Sequence, residues 1–110
     1  VTYSNDMKVK LLGVSPETLE KYGAVSHQTA VEMARGARRV GQADIGVGVT
    51  GIAGPGGGTP DKPVGLFFVA ISTQAGEQVI ERCRRNSTRE RTRLYASSCA
   101  LDLIRRTVLK

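Results

Sequence analysis

The 110-residue sequence predicts an α/β domain in which helices cover a mixed sheet, and three observations carry that reading. Segments 45–49, 66–72 and 78–84 read as strands, the first two almost continuously apolar. Two other segments repeat apolar residues at helical spacing behind N-terminal cap signals. The joint between the last two strands, Gln74-Ala75-Gly76-Glu77, is short enough to require an antiparallel hairpin.

Each element has its own signal. Val1-Thr2-Tyr3-Ser4 reads as the end of a strand with nothing before it, so residues 1–110 are expected to form one domain lacking its N-terminal portion. Ser15-Pro16-Glu17-Thr18 opens a helix. Ser15 can cap it, Pro16 needs no N–H in the first turn, and Glu17 complements the dipole. Gly23 ends that helix in the left-handed conformation. Ser26 caps the next, whose stripe is Ala30, Met33 or Ala34, Ala37 and Val40, and Gly41 stops it. Gly54-Pro55-Gly56-Gly57-Gly58-Thr59-Pro60 can only be a loop. From Thr88 onward one long helix is expected. Its inward stripe would be Leu94, Ser98, Leu101, Ile104 or Arg105, and Val108, widened by Ala100 and Leu103.

Composition excludes several classes. Apolar residues are 40% and charged residues 24%, which suits a globular chain rather than a disordered tail. The longest apolar run, Leu66 to Ile71, is far short of the roughly 20 residues a bilayer requires. No signal segment opens the chain, so a cytoplasmic location with reduced Cys83 and Cys99 is expected. One histidine, His27, and two distant cysteines do not make a four-ligand zinc site, and no cofactor is called for. Net charge is +6 and uneven: residues 1–81 carry seven Lys/Arg against eight Asp/Glu, residues 82–110 nine against two. Such a basic cluster attracts phosphates or polyanions, or simply keeps a face solvated. Nucleic acid is disfavoured, because aromatics are 5% and no nucleic-acid-binding signature appears.

Gly46-Val47-Gly48-Val49-Thr50-Gly51 matches G-x-G-x-x-G, but its glycines fall inside a strand and no helix follows. The stretch from Thr50 to Pro60 is more informative. It leaves a buried strand where open α/β sheets place ligands, and its glycines can bring backbone N–H groups close to an anion. Tyr3 and Lys8 form a second constellation: a phenol and a desolvated amine can move protons. Five residues apart, they do not share a helix face, and would converge only if a strand stops near Tyr3 and a turn follows. His27 reads as a surface or capping residue and Cys99 as packing.

Taken together, these segments resemble the C-terminal domain of the CinA family, the competence/damage-inducible proteins. The carriers are Tyr3-Ser4-Asn5 with Lys8, Leu11-Leu12-Gly13-Val14, Gly23-Ala24-Val25-Ser26, Val49 to Gly57, and Lys62-Pro63-Val64-Gly65. The resemblance covers nearly the whole chain. It implies a three-layer α/β/α fold with a mixed sheet, a cytoplasmic homodimer, and hydrolysis of the carboxamide of nicotinamide mononucleotide to nicotinic acid mononucleotide and ammonia. It implies catalytic roles for Tyr3, Lys8 and Thr50, and substrate binding by Gly51, Gly54 and Arg89. The arginine assignment could slip to Arg91 or Arg85, because Ser87-Thr88 stands where the family has Gly-Asp. The family's nucleophilic serine lies in a Glu-Ser-Cys-Thr-Gly-Gly-like segment upstream of the tyrosine, which these residues do not contain, so the chain as given is expected to be inactive.

The implied chemistry is consistent with the residues themselves. Amide hydrolysis needs a nucleophile, a base and a proton donor for departing ammonia, and no metal. Lys8 supplies the base, and Thr50 with the Gly51 backbone the oxyanion donors. Two alternatives stand beside it: a nucleotide-binding module without catalysis, and a basic nucleic-acid-associated protein.

Overall fold

The computed structural model describes residues 4–85 and 87–109. Its elements run α1 (Asn5–Leu12), α2 (Pro16–Tyr22), α3 (His27–Gly41), β1 (Gly46–Gly51), β2 (Leu66–Thr73), β3 (Gly76–Cys83) and α4 (Arg89–Val108). The strands form one sheet in the order β1-β2-β3.

Central β2 explains the layering. Alternate residues of a strand face opposite sides, and both sides of β2 are covered. Leu66, Phe68 and Ala70 pack with Ala30 and Ala34 of α3. Phe67, Val69 and Ile71 pack with Ala96 and Leu103 of α4. A strand buried on both faces reads as an unbroken apolar run, as this one does. Fully burying a side chain such as Phe67 or Ile71 contributes roughly 1.5–3 kcal/mol. The result is the expected three-layer α/β/α sandwich. The sheet is narrower in kind than a mixed one: the three described strands are antiparallel throughout. The short 74–75 turn enforces this for β2–β3, and the β1–β2 loop returns without a crossover helix.

Gly46 and Gly48 sit inside β1 for a packing reason. A Cβ on Gly48 would lie 2.5 Å from the Ala30 carbonyl oxygen, and one on Gly46 2.1 Å from that of Ala34. The glycines let α3 press its backbone against the strand, as their rejection as a dinucleotide fingerprint requires.

Three expectations change. The first is α1, a helix in a stretch where no element was expected. Its signals are present: Ser4 caps it by accepting the Met7 N–H at 3.2 Å, Asp6 and Lys10 suit the dipole, and left-handed Gly13 closes it. Its apolar residues hid it, because Met7 and Leu11 stay exposed while Lys8 is buried. The second is Gly23, which ends α2 with φ 82° but ψ 170°, outside the left-handed helical region. The third is the inward face of α4. Leu94, Leu101 and Val108 are 68%, 68% and 63% exposed. Against the sheet lie Ala96, Tyr95 and Cys99, together with Ala100, Leu103 and Ile104 of the expected stripe.

The cap signals of α2 and α3 operate differently. Ser26 caps α3 by accepting the Thr29 N–H at 3.1 Å. Ser15 makes no side-chain cap. Its N–H donates to Glu32 Oε1 at 2.7 Å, and Thr18 Oγ1 donates to Glu32 Oε2 at 2.6 Å. A carboxylate on α3 thus receives the first turn of α2, locking the two helices together.

Candidate active site

β1 ends at a cleft of about 620 Å³, within the usual range for small-ligand sites. Lys8 of α1, Thr50 and Gly51 of β1, and Arg89 at the first position of α4 all line it. Four residues expected from sequence to act together, drawn from three elements, are therefore assembled around one space.

Lys8 reaches the cleft from the middle of α1 and is 6% exposed. Its position is held by its own backbone, whose carbonyl accepts the Val14 N–H at 3.1 Å as the helix closes. Burial holds its ammonium below the ordinary value of 10.5, because water no longer solvates the charged form fully.

Thr50 is 8% exposed, and its hydroxyl donates to the Ala24 carbonyl at 2.7 Å. A carbonyl can only accept, so the threonine proton is committed to Ala24. Towards the cleft Thr50 therefore offers lone pairs, and it ties the α2–α3 connection to the strand end. This differs from the expected oxyanion-donor role. Gly51 is better placed for that. Successive residues of an antiparallel strand point their N–H groups alternately toward and away from the partner. The Ile52 N–H donates to the Leu66 carbonyl on β2 at 2.9 Å, so the Gly51 N–H points toward the open edge of β1.

Gly54 does not line the cleft. It is buried behind Arg89, whose Nη1 donates to its carbonyl at 3.1 Å. Its φ of +88° and a hypothetical Cβ 2.6 Å from Val64 Cγ1 explain why glycine stands here. Gly54 thus orients the arginine. Of the three candidate arginines, Arg85 borders a different cleft, with His27, Lys62 and Cys83, and Arg91 borders neither. Tyr3 lies outside the described residues.

Sequence reasoning missed two residues on α4. Arg93 and Thr92 line the same cleft. The available signal was the i, i+4, i+8 series Arg89, Arg93, Ser97, which puts one face of the helix on the site. Ser97 spends its hydroxyl proton on the Arg93 carbonyl at 3.0 Å. With Lys8, Arg89 and Arg93 on its walls and no carboxylate among the described lining residues, the cleft suits an anion. Elsewhere in the basic segment, Arg84 stacks 4.7 Å from the centre of the Tyr95 ring, and Arg105 and Arg106 pair with Asp102. Among the described residues, no group of three or more His, Cys, Asp or Glu could hold a metal. No described helix is long and apolar enough to cross a membrane.

Comparison with known proteins gives concordant results. The family model described as the CinA C-terminal domain matches residues 1–108. A competence-damage inducible protein of Acetivibrio thermocellus is 54% identical over 110 residues, all of this chain and 26% of that protein. One from Alkaliphilus metalliredigens is 50% identical, again over 26% of its length. The chain therefore spans about a quarter of these relatives. Among solved structures, a competence/damage inducible protein of Agrobacterium tumefaciens superposes with a TM-score of 0.85 at 46% identity, covering 94% of this chain and 64% of that one. A CinA superfamily protein of Escherichia coli gives 0.88 at 33% identity, covering 94% and 60%.

Proposed function

The chain belongs to the CinA C-terminal domain family, and from that premise we propose that its cleft binds a pyridine mononucleotide whose carboxamide is the group hydrolysed. The observation that carries the reading is the convergence of a buried lysine, an outward strand-end N–H and a helix-borne arginine on one cleft. These are the parts that hydrolysis of an amide in a phosphorylated substrate requires: a base, an oxyanion donor and a phosphate partner.

In this reading Lys8 acts as the neutral amine that takes the proton from the attacking hydroxyl. Burial favours that neutral form. The same ammonium then hands the proton to the amide nitrogen as it leaves as ammonia, and a water molecule deprotonated in the same way cleaves the acyl ester, releasing the acid and restoring the hydroxyl. The carbonyl oxygen gathers negative charge against the Gly51 N–H. Thr50, held by Ala24, fixes the strand end against which the amide lies. Arg89, steadied by the Gly54 carbonyl, receives the phosphate. No described cleft residue is assigned the attacking hydroxyl, and Ser97 donates its own to Arg93. A preceding serine-bearing segment of the kind the family carries would supply it. The same reading places the protein in cytoplasmic pyridine-nucleotide recycling, as a homodimer.

The test is ammonia release from nicotinamide mononucleotide by this domain joined to a family serine segment. The reading predicts turnover that Lys8→Ala lowers by orders of magnitude with little change in melting temperature. Near-normal turnover in that variant would remove Lys8 from the mechanism. Saturable mononucleotide binding with no ammonia in the joined protein would favour a non-catalytic nucleotide-binding module.

A further inference from the structure

Three successive carbonyls, those of Tyr22, Gly23 and Ala24, each accept a hydrogen bond from a side chain outside the segment. The Lys62 ammonium donates to Tyr22. Thr29 Oγ1 donates to Gly23 at 2.7 Å, and Ser26 Oγ donates to the same oxygen at 3.0 Å. Thr50 Oγ1 donates to Ala24 at 2.7 Å. A surface connection between two helices ordinarily leaves such carbonyls to water. This one is held from three directions: by α3, by the end of β1, and by the loop that joins β1 to β2.

The held stretch is a wall between two clefts. Ala24 and Val25 line the candidate site beside Lys8 and Thr50, whereas Tyr22, Val25 and Ser26 line the separate cleft that holds Lys62. The anchors on α3 and β1 belong to regular elements, but Lys62 belongs to a loop whose backbone is itself fixed. The Lys62 N–H donates to Thr59 Oγ1 at 3.0 Å, and the Lys62 carbonyl accepts the Thr59 N–H at 2.9 Å. Its ammonium then reaches a carbonyl in the last turn of α2, at the negative end of the helix dipole. Gly23 makes room for it. A Cβ there would stand 3.0 Å from Lys62 Nζ, and a φ of +82° already disfavours a side chain. Lys62 does not line the candidate site, so its influence there passes through the backbone of residues 22–25.

We propose that Lys62 is a positioning residue of the candidate site: by holding the end of α2 it sets where Ala24 and Val25 stand in the cleft, without touching the ligand. Thr50 and Lys62 grip carbonyls two residues apart, and two fixed points set the direction of the chain between them. A binding wall left loose by about 1 Å loses much of its contribution, so its anchors belong to the site as much as its lining does. The proposal rests on the mononucleotide reading for the ligand, but the placing of the wall does not.

The experiment uses the 110-residue chain with Lys62→Met, which keeps the apolar stem and removes the ammonium, and with Lys62→Arg, which keeps a cationic donor. Two quantities are measured: affinity for nicotinamide mononucleotide, and N–H dipolar couplings of the unliganded proteins in an aligned sample. Such couplings report bond direction rather than nearby charge. Methionine should change the couplings of Ala24 and Val25 while those of β2 stay fixed, which shows the fold intact. It should also weaken the mononucleotide about threefold to tenfold, the reach of one charged hydrogen bond on an equilibrium. Arginine should return both quantities toward the parent. Unchanged couplings at Ala24 and Val25 would overturn the proposal, and a loss of affinity without them would mean that Lys62 meets the ligand directly. Changed couplings with unchanged affinity would overturn it too, leaving Lys62 as no more than a cap of α2. A parent that binds no mononucleotide would sink the nucleotide reading instead. The couplings would still decide the placing of the wall, upheld if they change and overturned if they do not.

Discussion

Replacing Thr50 by valine removes one hydroxyl and leaves the side-chain shape intact. The structure assigns that hydroxyl a single described bond, to the Ala24 carbonyl at 2.7 Å. The bond is part-buried, and Ala24 itself is half-buried, so water can partly replace the lost donor. The expected cost is therefore near the typical net value of one intramolecular hydrogen bond, about 1 kcal/mol, rather than the larger penalty of a sealed unpaired carbonyl. For a domain of this size that corresponds to a fall in melting temperature of roughly 4–8 °C. Urea denaturation and calorimetry of Thr50→Val and Thr50→Ser would measure it. Serine keeps the donor and should stay close to the parent. Valine matching the parent within about 0.3 kcal/mol, or serine as damaged as valine, would refute the claim that this bond ties the helical layer to the strand end.

Other expectations follow from the same geometry. Gly48→Ala would force a methyl to 2.5 Å from the Ala30 carbonyl oxygen and 2.9 Å from the Ala34 nitrogen. Separating α3 from β1 should cost about 1–3 kcal/mol in a urea melt, and an unchanged midpoint would contradict the packing described. On α4, Leu103→Ala should cost about 2–5 kcal/mol, whereas exposed Leu101→Glu should stay within about 0.5 kcal/mol. The reverse order would mean the helix presents its other face. Lys8 gives a pH signature. Its folded-state value lies below 10.5, so between the two the unfolded chain binds the extra proton. Stability should therefore rise with pH across that window, and Lys8→Met should flatten this part of the rise. A parent and variant with parallel pH profiles would show that Lys8 is not desolvated.

Most of the architecture was legible because its signals are local. β2 announced itself as a continuous apolar run, Ser26 marked its helix as an N-cap, and the last helix was expected from Thr88 onward. What escaped was decided by tertiary contact. α1 buries a lysine and exposes Met7 and Leu11, which inverts the pattern that periodicity detects. α4 turns Ala96, Tyr95 and Cys99 inward beside the expected Ala100, Leu103 and Ile104, and leaves Leu94, Leu101 and Val108 in solvent, a choice of face that depends on the sheet it meets. The site shows the same division. Lys8, Thr50, Gly51 and Arg89 could be named from residue type and family resemblance, and the fold brings them to one cleft. That the Gly54 carbonyl supports Arg89 and that Thr50 anchors the strand end to Ala24 depend on tertiary contacts that residue type does not state.

The central claim is that one particular cleft receives the nucleotide, and amide resonances of the 110-residue chain can report it directly. Titration with nicotinamide mononucleotide should displace the signals of Lys8, Gly51, Arg89 and Thr92 in saturable fashion, leaving Glu77 and its neighbours still. Displacements centred instead on His27, Lys62 and Cys83, which border the separate cleft, would contradict the account, as would a spectrum that does not respond.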